Sequence, residues 1–196
     1  DKLPTPENVF AKLPDTINPR YSYACSKILG EVLTYNYLRS DLKKIIFRPH
    51  NIYGPAMGFE HVIPEIVKKI IRQTNSLKVN ECLIEIQGNG LESRSFCYVD
   101  DLTDGRLKMM DSESSFKGPV NIGNCDEFTM LELAQKITKK IGGNSKISFI
   151  TLPADDPKRR KPDISLAYDR LGWKPKITLN YGLEKTINYF RNLMKI

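Results

Sequence analysis

The 196-residue chain has little of several things that would narrow its role. Its four cysteines, at positions 25, 82, 97 and 125, form no CxxC and no paired spacing, so neither a zinc knuckle nor a disulfide framework is indicated, and reduced, mostly buried thiols are expected. No stretch approaches the roughly 18 uninterrupted apolar residues of a membrane span. The N-terminus, DKLPTPENVF, lacks the basic-then-apolar pattern of a signal peptide, so a cytoplasmic protein with no membrane partner is expected. No G-x-x-G-x-x-G turn occurs anywhere. The GNG at 88–90 does not replace it, because it lies between two strand-like runs rather than opening a helix.

What remains is globular in composition, with 40% hydrophobic residues and a net charge of +7. The basic residues are spread along the chain except for Lys158, Arg159, Arg160 and Lys161, a run that reads as a solvated loop. They lack an aromatic-interleaved strand face or a recognition-helix pattern, so a nucleic-acid partner is not expected.

After a Pro-rich polar entry segment, Tyr21 to Ser40 has helical apolar spacing, and Ile45, Ile46 and Phe47 form a short buried strand stopped by Pro49 and Gly54. HVIPEIVKKIIRQ reads as a helix with Pro64 in its first turn, where proline is tolerated. LIEIQGNGLESRSFCYVDDL reads as two strands around a Gly-rich connection, with Asp100 or Asp101 capping the next helix. GPVNIG is strand-like. TMLELAQKITKKIGG carries a capping box, Thr129 with Glu132, and a stop at Gly142. KISFI is a strand, SLAYDRLGW a short helix, and Tyr181 to Met194 an amphipathic helix. Helix and buried strand in alternation predict an α/β fold.

Tyr23 and Lys27 stand four residues apart on one helix face, where an ammonium favours a phenolate and could make Tyr23 a general base. The spacing alone is weak. Nine tyrosines and 20 lysines predict about one such pair by chance, and Tyr181 with Lys185 is a second. That second pair reads as a tyrosine packed inward beside an exposed lysine. The first is favoured by its place: its helix leads into a buried strand ending in RPHNIYGP, and open α/β sheets bind ligands at such strand ends.

In order, YSYACSK, RPHNIYGP, GNGLESRSFCYVDDLTDG, PVNIGNCDEFTMLELA and DDPKRRKPDISLAYDRLGWKPKITLNYGLEKTI resemble the C-terminal portion of the extended short-chain dehydrogenases/reductases that modify nucleotide sugars. From SRSFCYVDDL onward the resemblance is nearest to UDP-glucuronate decarboxylases and dTDP-glucose 4,6-dehydratases; HNIYGP also resembles GDP-mannose 3,5-epimerase. The resemblance implies the C-terminal part of a Rossmann-like doubly wound parallel sheet plus a smaller mixed α/β substrate-binding lobe. Residues 1–58 would belong to the NAD-binding part and 59–196 to the lobe, with 96–123 packing back on the first part as an alternative.

It further implies NAD as cofactor and a nucleotide-diphosphate sugar as partner, processed through a 4-keto intermediate by epimerisation, dehydration or decarboxylation. Tyr23 resembles the catalytic tyrosine and Lys27 the lysine that holds the nicotinamide ribose. Pro49 and His50 match backbone positions beside the nicotinamide. Asn51, Val62, Arg94, Asn121 and Arg160 match substrate contacts, the two arginines gripping the diphosphate, with Arg159 an alternative to Arg160. A planar guanidinium suits phosphate oxygens bidentately. Arg94 has a second reading as a salt-bridge partner of Asp100 or Asp101, and His61 reads as a polar helix-start residue. No metal ligand set is expected. The family's homodimers pair a helix carrying the Tyr/Lys couple. Because the Gly-rich turn is missing, the chain is expected to be a fragment that binds NAD poorly alone; a non-catalytic nucleotide-sugar-binding or regulatory module is the rival expectation.

Overall fold

A computed structural model describes residues 2–13, 15–19, 21–77, 81–142, 144–153 and 156–194. Its elements alternate in α/β fashion. They are α1 (Tyr21–Asn36), β1 (Phe47–Pro49), β2 (Ile52–Tyr53), α2 (Val62–Leu77), β3 (Glu81–Gln87), β4 (Ser93–Ser95), β5 (Cys97–Tyr98), α3 (Val99–Asp111), β6 (Val120–Ile122), β7 (Glu127–Thr129), α4 (Met130–Ile141), β8 (Asn144–Ile150), β9 (Arg159–Arg160), α5 (Ser165–Leu171) and α6 (Leu179–Leu193). Four strand pairs are parallel, β1 with β6, β2 with β5, β3 with β8 and β4 with β9; β4 also pairs antiparallel with β7. Among the described residues no helix is long and apolar enough to cross a membrane.

Two apolar clusters organise these elements. One gathers α2, β3, α4 and α6 around residues such as Val67, Ile84, Leu133 and Leu183, all fully buried. The amphipathic faces of α2 and α4 close over the β3–β8 pair in that cluster, and α6 packs on α2, α4 and β5. The other gathers Cys97, Met109, Val120, Ile122, Ala167 and Trp173, with Ile45, Phe47 and Ile52 packed against it. Residues 97–122 therefore share a core with 45–52 and with the segment around Trp173.

The local signals mostly act as their chemistry dictates. Thr129 and Glu132 form the reciprocal capping box, and Gly142 ends α4 at φ +86°, a conformation a side chain would resist. Pro64 lies in the first turn of α2.

Three expectations are corrected. Helix α1 stops at Asn36 rather than Ser40, and there the Asn36 side-chain amide donates back to the Val32 carbonyl. Neither Asp100 nor Asp101 caps α3: the N-cap is Tyr98, with no side-chain cap. Asp101 is 4% exposed and accepts instead from the backbone N–H of Lys176 and Ile177, at 2.9 and 3.0 Å. The basic run is not a free loop either. Arg159 and Arg160 form β9 against β4, and Arg159 pairs with Glu127 at 2.6 Å. Of the cysteines, Cys82 and Cys97 are buried, Cys125 is half-buried and Cys25 is exposed, all as free thiols.

The Pro-rich entry segment is tied to the body rather than loose. Thr5 donates its N–H to Lys161 and accepts from Asp163, and the Glu7 carboxylate accepts from the Asn121 N–H at 2.8 Å. Helix α1 has no buried residue; the Arg48 guanidinium of β1 holds it through a two-pronged bond to Glu31, 2.8 Å on each arm. That bond holds the Glu31 carboxyl below its ordinary range.

Candidate functional site

A cavity of 640 Å³ opens where the start of α2, the end of β3, strand β4 and the connection from β8 to β9 meet. The pairing of β4 with β9 decides which cations reach it. In the parallel register Arg94 stands opposite Arg160 and Ser93 opposite Arg159. Side chains alternate along a strand, so Arg94 and Arg160 share one face and line the cavity, while Arg159 turns with Ser93 to the other face. There Arg159 and Ser93 both bond Glu127, and this holds its carboxyl down at about 2. The structure thus puts Arg160 rather than Arg159 beside Arg94.

The Arg94 guanidinium is fastened on several sides. Its Nη1 donates to the carbonyls of Ser93 and Lys158, at 2.8 and 3.2 Å, and its Nη2 to Asp156 Oδ2 at 2.8 Å. Arg160 approaches the other oxygen of Asp156 at 3.8 Å. The partner of Arg94 is therefore Asp156, not Asp100 or Asp101. Asp156 escaped the reading of the sequence, although DDPKRR holds it four residues before Arg160.

Asn51 and Val62 line the same cavity, as does His61, which stands at its wall just before α2. Asn51 adopts φ +44°, in the left-handed region that asparagine tolerates better than most residues. This turn lets its Nδ2 donate to the Ser95 carbonyl at 2.9 Å while its own carbonyl accepts from Cys97, joining the loop after β1 to β4 and β5. Glu92, 8% exposed, also lines the cavity and accepts from the Gly90 N–H at 3.1 Å.

The remaining candidates lie elsewhere. Asn121 is 2% exposed and does not line the cavity; its amide donates to the carbonyls of Thr5 and Asp163, at 3.0 and 2.9 Å. Its Oδ1 lies 3.1 Å from His50 Nε2, and burial pushes the His50 imidazole below its ordinary range. Pro49 closes β1 opposite Ile122, and the His50 N–H continues the ladder to the Ile122 carbonyl.

Tyr23 and Lys27 share one face of α1, with the ammonium 5.0 Å from the ring centroid and Tyr23 70% exposed. They stand outside the cavity. Tyr181 and Lys185 have nearly the same arrangement, 5.4 Å, so this contact does not separate the two pairs. Contrary to expectation Tyr181 is not packed inward: it is half-exposed, with its ring edge-on to Tyr98.

The sequence model of the NAD dependent epimerase/dehydratase family matches residues 3–123. UDP-glucuronic acid decarboxylase 3 of Arabidopsis thaliana is 37% identical over 191 residues, 96% of this chain and 53% of that protein. UDP-glucuronic acid decarboxylase 1 of Xenopus tropicalis is 36% identical over 176 residues, 89% of this chain and 40% of that protein. The chain thus spans about half the length or less of these curated relatives. Among solved structures, a UDP-glucuronic acid 4-epimerase from Bacillus cereus in complex with UDP-glucuronic acid and NAD superposes with TM-score 0.78 at 25% identity, covering 95% of this chain and 58% of that one. A UDP-glucose 4-epimerase from Thermotoga maritima with UDP-glucose gives 0.77 at 26% identity, covering 99% and 59%. These neighbours share the Rossmann-like α/β architecture expected for the chain.

Proposed function

The chain belongs to the NAD dependent epimerase/dehydratase family, and from that premise we propose that it is the substrate-gripping part of an NAD-dependent enzyme that decarboxylates UDP-glucuronic acid. The observation that carries this is the β4–β9 register, which sets Arg94 and Arg160 side by side on a cavity large enough for a nucleotide sugar. Two guanidinium forks on one wall suit a diphosphate. The relatives at 36–38% identity are named UDP-glucuronic acid decarboxylases, which favours loss of the C6 carboxylate over other outcomes.

In this reading Arg94 and Arg160 hold the diphosphate, and Asn51 and Val62 border the sugar and nucleotide. Tyr23 takes the proton of the C4 hydroxyl, with Lys27 beside it on the same helix face. Tyr23, Lys27, Pro49 and His50 would border a nicotinamide, and the Glu31–Arg48 bond, which joins the helix bearing Tyr23 and Lys27 to the strand that ends at Pro49 just before His50, supports that reading. NAD, when bound there, supplies oxidation and re-reduction at C4. A keto group at C4 makes the C6 acid a β-keto acid, in which carbon dioxide leaves with the electron pair drawn toward the C4 oxygen. Asn121 serves this site indirectly, through the orientation of His50. Residues 1–58 form the cofactor side and 59–196 the substrate side, with 97–122 sharing the core of the former. The parent protein is read as a cytoplasmic homodimer pairing through α1, whose exposed Leu29, Val32 and Leu33 support that reading.

The test is a panel of UDP, dTDP, GDP and CDP sugars incubated with full-length protein and NAD, with product masses read out. Loss of carbon dioxide from UDP-glucuronic acid is expected. An unchanged mass with inverted C4 would make it an epimerase, loss of water a dehydratase, and no turnover of any sugar would end the enzymatic reading in favour of a binding module.

A further inference from the structure

We propose that Asp156 is a resident counter-anion of the Arg94–Arg160 pair, which an incoming nucleoside diphosphate must displace, so that binding is an exchange of one anion for another. This rests on the reading of the cavity as a nucleotide-sugar site. One carboxylate now bridges the two arginines, Oδ2 to Arg94 at 2.8 Å and Oδ1 toward Arg160 at 3.8 Å. A phosphate that takes the Nη2 side of Arg94 competes with the Asp156 carboxylate for the same N–H.

Two observations distinguish a competitor from an anchor. Arg94 does not need Asp156 for its orientation, because Nη1 is held by the Ser93 and Lys158 carbonyls. The cavity is also rich in carboxylates: Glu60, Glu65, Glu85, Glu92 and Asp156 line it, against the cations Lys69, Arg94 and Arg160. Lys69 faces Glu85 at 3.4 Å, so the arginines are the cations a diphosphate would meet. A dianionic group entering such a cavity is repelled unless the carboxylate already on the arginines gives way. Asp156 lies between β8 and β9, outside both strands, so its side chain can turn from the arginines without breaking a strand pair.

The consequence is selectivity for two phosphates over one. A single phosphate replaces the bridge poorly, while a diphosphate offers each arginine a new partner.

The test is calorimetry of UDP and UMP binding to full-length, NAD-loaded protein, wild type and Asp156→Asn, at two salt concentrations. The variant is expected to bind UDP on the order of tenfold more tightly, the scale of one charge-assisted hydrogen bond. UMP should gain less, and the variant's UDP binding should fall more steeply with salt, because one negative charge beside its arginines is removed. If wild type binds UDP and Asp156→Asn binds it equally or more weakly, Asp156 is an anchor and the proposal is wrong, while the cavity reading stands. If wild type binds neither nucleotide, the cavity reading falls and takes the proposal with it. Should Asp156→Asn fail to give a normal thermal unfolding transition, Asp156→Ala is read by the same criteria.

Discussion

Asp101 holds Trp173 and the segment after it: its carbonyl accepts from the Trp173 indole N–H at 3.0 Å, and its carboxylate clamps the two backbone N–H groups at Lys176 and Ile177. Trp173 is fully buried against Ile122 and Ala167, so one residue at the start of α3 fixes the end of α5, the approach to α6 and the core behind β6. The carboxylate serves this longer-range tie and does not cap α3.

Asp101→Ala should therefore destabilise the fold by about 2 kcal/mol, the scale of leaving part-buried donors without their charged acceptor. Asp101→Asn keeps one acceptor oxygen and should lose about half as much. Urea unfolding followed by tryptophan fluorescence reads both, since Trp173 is the chain's single tryptophan.

Gly182→Ala should cost more than an ordinary helix substitution and in the opposite direction to propensity. Within α6 alanine is the better helix former. A Cβ at this position, however, would stand 2.1 Å from the Tyr53 hydroxyl oxygen and 2.7 Å from the Tyr98 ring, both in tyrosines at most 4% exposed. Overpacking of this kind costs roughly 1–3 kcal/mol, and a lowered thermal midpoint checks it.

How much of this was legible in the residues depends on the range of the interaction. The α4 capping box and the Pro64 start of α2 were readable because both partners lie within one turn. The α/β order was readable from periodicity. Asp101 was misread because a carboxylate before a helix looks like a cap, and its true partners lie 75 and 76 residues on. Arg159 and Arg160 could not be told apart along the chain; their opposite faces follow from a strand register with β4, some 65 residues upstream, that no local pattern carries. Asn121 matched a family position, yet its amide is used inside the fold on Thr5 and Asp163. Asp156 was passed over because arginine is the residue one seeks for phosphate, and a carboxylate beside it reads as charge balance.

Glu127 should make the β4–β7–β9 sheet sensitive to acid. Its carboxyl is held at about 2 in the fold, first by the Arg159 hydrogen bond and then by Ser93 and the charges of Arg159 and Lys161, against about 4.3 in an unfolded chain. A depressed folded value means that its contribution is full above the unfolded value and is lost as pH falls through the folded one. Unfolding free energy should thus decline between about pH 4.5 and pH 2 less steeply in Glu127→Gln than in wild type. Equal slopes would show that Glu127 does not govern this window.

Tyr23→Phe in the full-length enzyme should lower kcat by about 10²–10⁴-fold, the usual scale for loss of a general base, with UDP affinity changed little because Tyr23 stands outside the cavity. Tyr181→Phe serves as the control, since Tyr181 and Lys185 repeat the spacing and the ring contact. Normal turnover in Tyr23→Phe would remove the residue from the mechanism.

The strand register makes a sharper prediction, because it assigns neighbouring arginines opposite fates. Arg94→Lys keeps the charge, but a single ammonium cannot hold the Ser93 and Lys158 carbonyls and also present a planar fork to the cavity. UDP should bind about 10–100-fold more weakly, the equivalent of one or two charge-assisted hydrogen bonds. Arg159→Lys should leave UDP binding nearly unchanged, since Arg159 faces Glu127 on the other side of the sheet; its effect should appear instead in acid stability. Titration of both variants with UDP separates the two faces, and a comparable loss in both would mean that the β4–β9 register does not govern which arginine the nucleotide meets.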